Sequence, residues 1–347
     1  MRLTLRTLGL LLVLALGTAA LARARVTGGP SATGPNGSPV GVATTLDTLP
    51  PAATSSSTVA TTTTLVPAIQ SATTTSIVAT TDPTLAPVCG LPAGGAGCRI
   101  IAYYGNPLSS RMGALGANPP QQMLPELISR TSKWRIADPA TPTRCALELI
   151  AIAAQAAPGR NRTYRLRMSD KVINQVLGWA RGAGCLLILD VQVGWSSVPE
   201  ELPYLQPWLN EPDVHLALDP EWDMPTGIKP GAKVGTMSAA HIQFGIDLLT
   251  RTVADRRLGP KMLIVHRFRD FMVSNPESIV PNPSVRLVVN MDGFGPPETK
   301  LNSYRVALAG MPTTLTGFKL FFLNDKPLLG PKDVLPILPA PVFINYQ

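Results

Sequence analysis

The stretch Val214-His215-Leu216-Ala217-Leu218-Asp219-Pro220-Glu221-Trp222-Asp223 decides how the chain folds. A short apolar run, broken only by His215, passes directly into an acidic and aromatic segment. Side chains alternate across a strand with period two. His215, Ala217, Asp219 and Glu221 therefore share one side, and Val214, Leu216 and Leu218 share the other. The apolar set suits a layer of covering helices. Asp219 and Glu221 are then left at the mouth of a barrel, about 6–7 Å apart along the strand. A carboxylate near such an axis is costly unless it is hydrogen-bonded or paired, so two of them point to use. The competing reading has these two acids capping a loop or binding Arg267.

This run is the fourth of eight. The others are Arg99–Tyr104, Ala146–Ala153, Cys185–Val193, Lys261–Phe268, Val285–Met291, Gly317–Leu323 and Pro341–Tyr346. Helical patterns separate several of them. Ser169 reads as the N-cap of a helix through Ala180 with Val172, Ile173, Val176 and Leu177 on one face, and Ser238 opens another with Ile242, Ile246 and Leu249 inward. A weaker helix runs from about Pro297 to Ala309. Strands rich in Val, Ile and Leu that alternate with helices indicate a parallel sheet covered on its outer face. Eight of them favour an α/β fold of the closed (β/α)8 type. No G-x-G-x-x-G follows the first strand, where Tyr103-Tyr104-Gly105-Asn106-Pro107 stands, so a dinucleotide fold loses its main support. The sequence stops within the eighth strand, so the usual last helix is expected to be missing and another segment, such as the one before the first strand, to cover that side.

Outside the barrel the composition changes. None of the 19 Phe, Trp and Tyr residues precedes Tyr103, and residues 31–88 hold 16 Thr, 7 Ser and 7 Pro with no Lys or Arg. Such a segment cannot bury enough apolar surface to offset an ordering cost of roughly 1–2 kcal/mol per residue. Arg2 and Arg6, the apolar stretch Leu8–Leu21 and the small residues Ala19, Ala20 and Ala22 read as an export signal. The organisation expected is a signal peptide or N-terminal anchor over 1–26, a disordered Thr/Ser/Pro-rich linker over 27–88, and one barrel over 89–347. Collagen, coiled coil and multi-span membrane protein are excluded.

The formal charge of +8 is spread thinly, without the long basic runs of a nucleic-acid binder, and no nucleic-acid partner is expected. A net positive surface favours anionic polymers such as cell-wall acids, and solubility explains it equally well. Cys89, Cys98, Cys145 and Cys185 make an even count, which in an exported chain implies disulfides. Three pairings are possible. The favoured one joins Cys89 to Cys98 across a short Gly-rich loop and Cys145 to Cys185 at the same end of neighbouring strands. Spacings of 9, 47 and 40 match no zinc thiolate pattern.

Active sites of (β/α)8 barrels lie at the C-terminal ends of the strands. Polar residues gather there: Tyr104 and Asn106, then Gln155, Asp190 and Gln192, Asp219 and Glu221, His266 and Arg267, Asn290 and Asp292, Asn324 and Asp325, and finally Asn345 and Tyr346. Any strand that meets a loop shows some polar residues. Carboxylates after four strands, interleaved with aromatics, are less easily explained that way.

Asp219-Pro220-Glu221 at the end of the fourth strand resembles the acidic D-x-E motif of secreted glycosidase barrels, the chitinase-like and lysozyme-like families. In the chitinase-like pattern D-x-x-D-x-D-x-E the last two acids align with Asp219 and Glu221, while Val214 and Ala217 stand at the first two acidic positions. The resemblance implies Glu221 as general acid and Asp219 as its orienting or charge-stabilising neighbour. Glycoside hydrolysis also needs a second group as nucleophile, base or assistant. Asp190 and Asp292 are the candidate second carboxylates. Trp195 and Trp222 could stack on sugar faces, and Tyr104 could donate a hydrogen bond to the reacting sugar. Gln192, His266, Arg267, Asn290, Asn324 and Tyr346 complete the candidate binding set. Alternation allows only one of His266 and Arg267 to face inward. His215 reads as a satisfied interior histidine and His241 as a surface residue.

No cofactor is called for. The three histidines show no H-x-H or H-E-x-x-H spacing, which removes a His-rich zinc site and leaves only an oxygen-ligand Mg2+ or Ca2+ arrangement of Asp190, Asp219, Glu221 and Asp292 open. Serine hydrolase chemistry lacks a G-x-S-x-G. The expectation is a monomeric, secreted or cell-surface protein that hydrolyses an extracellular or cell-wall glycan, touching a membrane only if the N-terminal segment is retained. The alternatives are a catalytically inactive glycan-binding barrel using the same cleft and a structural wall protein with no ligand site.

Overall fold

In the computed structural model, residues 97–312 and 315–347 are described. The expected signal, the linker and Cys89 lie outside them. Eight parallel strands form the barrel: β1 (Arg99–Gly105), β2 (Thr143–Ala154), β3 (Leu186–Val191), β4 (Val214–Leu218), β5 (Lys261–Arg267), β6 (Val285–Met291), β7 (Leu315–Leu320) and β8 (Phe343–Tyr346). They pair in the order β1-β8-β7-β6-β5-β4-β3-β2, and β2 pairs back onto β1, which closes the sheet. A short strand, Arg165–Arg167, adds to β2 antiparallel.

Five longer helices cover the outside: α1 (Pro120–Ala137), α2 (Asp170–Gly182), α3 (Val198–Leu209), α4 (Ala239–Arg256) and α5 (Pro297–Leu308). Ser238 caps α4 as its position suggests, accepting from the His241 N–H. Ser169 stands at the N-cap of α2, yet its side chain makes no cap bond; its carbonyl accepts from Val172 and Ile173 instead. The connection from β5 to β6 carries 3-10 turns, at Asp270–Met272 and Pro276–Ser278, in place of a longer helix. The outer side of β8 is covered by α1, whose Trp134 indole donates to the Tyr346 hydroxyl at 2.9 Å.

Cys145 and Cys185 form a disulfide. They precede the register pair Ala146 and Leu186 on adjacent strands, so the bond staples β2 to β3 at their N-terminal ends. Cys98 is also disulfide-bonded.

Alternation divides the strands into two cores. Outward residues such as Ile101, Leu147, Leu189, Leu216, Leu263 and Val289 pack under the helices. Inward ones, including Ile100, Ala102, Ala146, Ile188, Ala217, Ile264, Val288 and Phe343, form a separate apolar cluster inside the barrel. Two residues further along each strand the inward position turns polar, and that change positions the site.

Candidate functional site

All eight strands contribute to this polar layer: Tyr104, Glu148, Asp190, Asp219, His266, Asn290, Lys319 and Asn345, each buried. Above it, Asp292 follows β6 and Glu221 follows β4. Asp219 is the last inward residue before a 3-10 turn over Pro220–Trp222, so Glu221 is carried by that turn and not by an extended strand. The turn brings one carboxylate oxygen from each of Asp219, Glu221 and Asp292 within 4.8 Å of the others. Glu221 is the partly exposed member.

The layer is bonded across the barrel. His266 Nε2 lies 2.9 Å from Glu148 Oε1, and the Asn345 amide donates to Glu148 Oε2. His266 Nδ1 faces Asn290 at 3.1 Å and Asp292 Oδ2 at 3.4 Å. Lys319 Nζ donates to Asp292 Oδ2 at 2.9 Å and sits 3.7 Å from the centre of the Tyr104 ring. The Tyr104 hydroxyl donates to Asp190 Oδ2 at 3.1 Å, and the Gln192 amide donates to both Tyr104 and Asp219 Oδ2. Among the described residues, Asp190 Oδ1 and Asp219 Oδ1 have no hydrogen-bond partner.

Five carboxylates thus share two basic side chains, and the imbalance shows in their protonation. Burial, reinforced by the charges of Asp219 and Asp292, pushes Glu221 well above the usual carboxylate range. Burial and the Asp219 charge do the same to Asp190. Asp219 is pushed up to about 6, again chiefly by burial. Burial alone would depress His266, but the charge and hydrogen bond of Glu148 raise it to about 9. Lys319 is raised against its own burial by Asp292, Asp219 and Glu148. A group of this kind supplies a carboxyl that keeps its proton near neutrality beside carboxylates held by fixed cations. The Asp219, Glu221 and Asp292 oxygens are also the set that could hold a hard cation. Asp190 stands apart from them, grouped with Glu148 and His266, and Lys319 already occupies Asp292 Oδ2.

Several candidate residues stand elsewhere. Arg267 faces outward under α5, where it donates to the carbonyls of Ala307 at 2.9 Å, Ala309 at 2.7 Å and Asp270. It therefore does not bind Asp219 or Glu221. Tyr346 also faces outward, with its ring stacked on Phe322 at 5.3 Å. Trp195 is held by Tyr164, 4.2 Å between ring centres, and donates to the Ile228 carbonyl at 2.6 Å. Trp222 is half-buried on the 3-10 turn, and Asn324 lies in the loop after β7. His215 is buried at the opposite end of the barrel interior; its Nδ1 accepts from the Met262 N–H, while Nε2 has no partner among the described residues. His241 is half-buried and pairs with Asp223 at 3.1 Å.

Glu148 and Lys319 escaped the sequence reading, which named Asn345 only as a polar residue at a strand end. The available signal was a lone polar residue inside each apolar run, at the parity that faces the axis. No protein-family model matches the chain, and a search of curated proteins finds no match either. Among the described residues no helix is long and apolar enough to cross a membrane.

Proposed function

We propose that the barrel is a glycoside hydrolase acting on an extracellular or cell-wall glycan, with Glu221 as general acid. One observation carries this reading: Glu221 is a partly exposed carboxyl with a strong tendency to keep its proton, within 4.8 Å of Asp219 and Asp292 at the C-terminal mouth. In this scheme Glu221 gives its proton to the glycosidic oxygen as the bond to the anomeric carbon breaks. A neighbouring carboxylate balances the positive charge on that carbon. Water then adds hydroxide to the carbon and returns a proton to Glu221. Gln192 steadies Asp219, and Trp222 is the aromatic beside the acid that remains available to a sugar face.

The test is incubation of the full-length protein and its Glu221→Gln variant with a panel of cell-wall glycans. Release of reducing ends by the wild type, reduced at least ~10²-fold in the variant, is the expected result. Binding by both without release would replace hydrolysis with glycan recognition. Neither binding nor release would leave a structural role.

A further inference from the structure

The acid at the mouth leaves open which carboxylate works opposite it and what the buried Glu148–His266 pair does. Glu148 spends both oxygens inside the barrel, Oε1 on His266 Nε2 at 2.9 Å and Oε2 on the Asn345 amide. The pair spans the barrel from β2 to β5, and neither residue is exposed. The other ring nitrogen points up the barrel, 3.4 Å from Asp292 Oδ2. A carboxylate–imidazole–carboxylate line therefore runs from the interior to the mouth. Asp190 is placed differently: its Oδ1 is 3.9 Å from His266 Nε2, beyond hydrogen-bond reach, and its Oδ2 accepts from Tyr104 beneath the mouth.

We propose that Glu148 and His266 form a positioning unit that fixes Asp292 Oδ2 beside Glu221, and that Asp292 is the second reacting carboxylate while Asp190 is not. The proposal rests on the hydrolase reading. Two fixed cations meet at Asp292 Oδ2: Lys319 from β7 at 2.9 Å and His266 from β5 at 3.4 Å. That arrangement holds the oxygen still. Every neighbour of the ring enters the balance. Glu148 from β2, Asp190 from β3, Asp219 from β4 and Asp292 after β6 favour the imidazolium. Lys319 from β7 opposes it, and the Tyr104 ring from β1 lies edge-on at 5.8 Å. Asn290 offers the rival arrangement, because its amide could donate to an unprotonated Nδ1 at 3.1 Å. Positioning and the rival thus differ in one proton, on His266 Nδ1.

That proton can be observed without any substrate. The full-length protein has three histidines, so ring 15N signals can be assigned by loss in His266→Gln. Both His266 nitrogens should be protonated at pH 7.5 in the wild type, and the ring should become neutral at that pH in Glu148→Gln. On a glycan that the wild type cleaves, Glu148→Gln should lower kcat by about 10²-fold with little change in KM, as expected when a reacting group is misplaced and substrate binding is not. An unprotonated Nδ1 in the wild type at pH 7.5 would overturn the positioning unit whatever the activity. A kcat retained in Glu148→Gln alongside a neutral ring would overturn the role of the unit in turnover. Absence of turnover in wild type and variants alike would sink the hydrolase reading, while the ring signal would still decide the pairing.

Discussion

Lys319 carries more of the site than its position inside an apolar run suggests. The residue is 2 % exposed, with its ammonium bonded to Asp292 Oδ2 and seated over the Tyr104 ring. A cation so enclosed is tolerated because several carboxylates face it, and they need it for the same reason. Removing one partner of a buried ion pair leaves the other charge uncompensated, which typically costs about 3–5 kcal/mol. Lys319→Met should therefore lower the unfolding free energy by about 3 kcal/mol, measured by urea denaturation, because Met keeps the apolar stem and deletes only the charge. Asp292→Asn combined with Lys319→Met should recover part of that loss, since the double change removes both charges. A double variant destabilised by the full sum of the single changes would mean that Lys319 serves Asp219 or Glu148 and not Asp292.

Individual strands show why part of this architecture is legible in the sequence. The expected bounds of β4 and β6 coincide with those observed, because their apolar runs end where the chain turns. β7 slips: Phe321-Phe322-Leu323 prolongs the apolar run, but the chain leaves the sheet at Leu320, and Asp325 accepts from the Phe321 N–H. Helices α1 and α3 were hidden by Pro125, Pro203 and Pro207, residues that ordinarily end a helical pattern and here lie inside one. The acids of β3 and β4 were readable because they end their strands. Glu148 and Lys319 were not, since a charge within a strand declares its direction only once the register is known. Gly317 of β7 shows how tightly that register is used. A Cβ there would collide with the Asn290 side chain on β6 and come within 3.0 Å of Phe343 on β8. Gly317→Ala should cost about 1–3 kcal/mol in urea unfolding. It should also shift the His266 ring signals, because Asn290 is the residue displaced. Unchanged signals would show that the Asn290 side chain is not displaced.

Over the whole molecule, a closed barrel has drawn five carboxylates and two basic groups together at its C-terminal end, so folding takes up protons that the unfolded chain releases. Asp219 titrates near 6 in place of 3.8, and burial holds Asp190 and Glu221 well above their ordinary values. A group whose folded value is raised contributes stability that is complete below its unfolded value and lost as pH climbs through the folded one. Asp219 alone can account for up to about 3 kcal/mol between pH 4 and 6, because each pH unit that separates its folded from its unfolded value is worth roughly 1.4 kcal/mol. His266, at about 9 against 6.5, continues the loss above neutrality. Two groups work in the other direction. His215 is held neutral by burial and costs stability below 6.5, and Lys261, lowered to about 8 by burial, adds stability only above that pH. From pH 8 down to 5 the raised groups outnumber the opposing ones, so the melting temperature should rise as the medium is acidified. Asp219→Asn should flatten the curve between pH 5 and 6, where Asp219 itself titrates. A melting temperature that instead climbs from pH 5 to 8 would mean that these interior acids fold as fully paired carboxylates. The proton assigned to Glu221 would then have no place in the barrel.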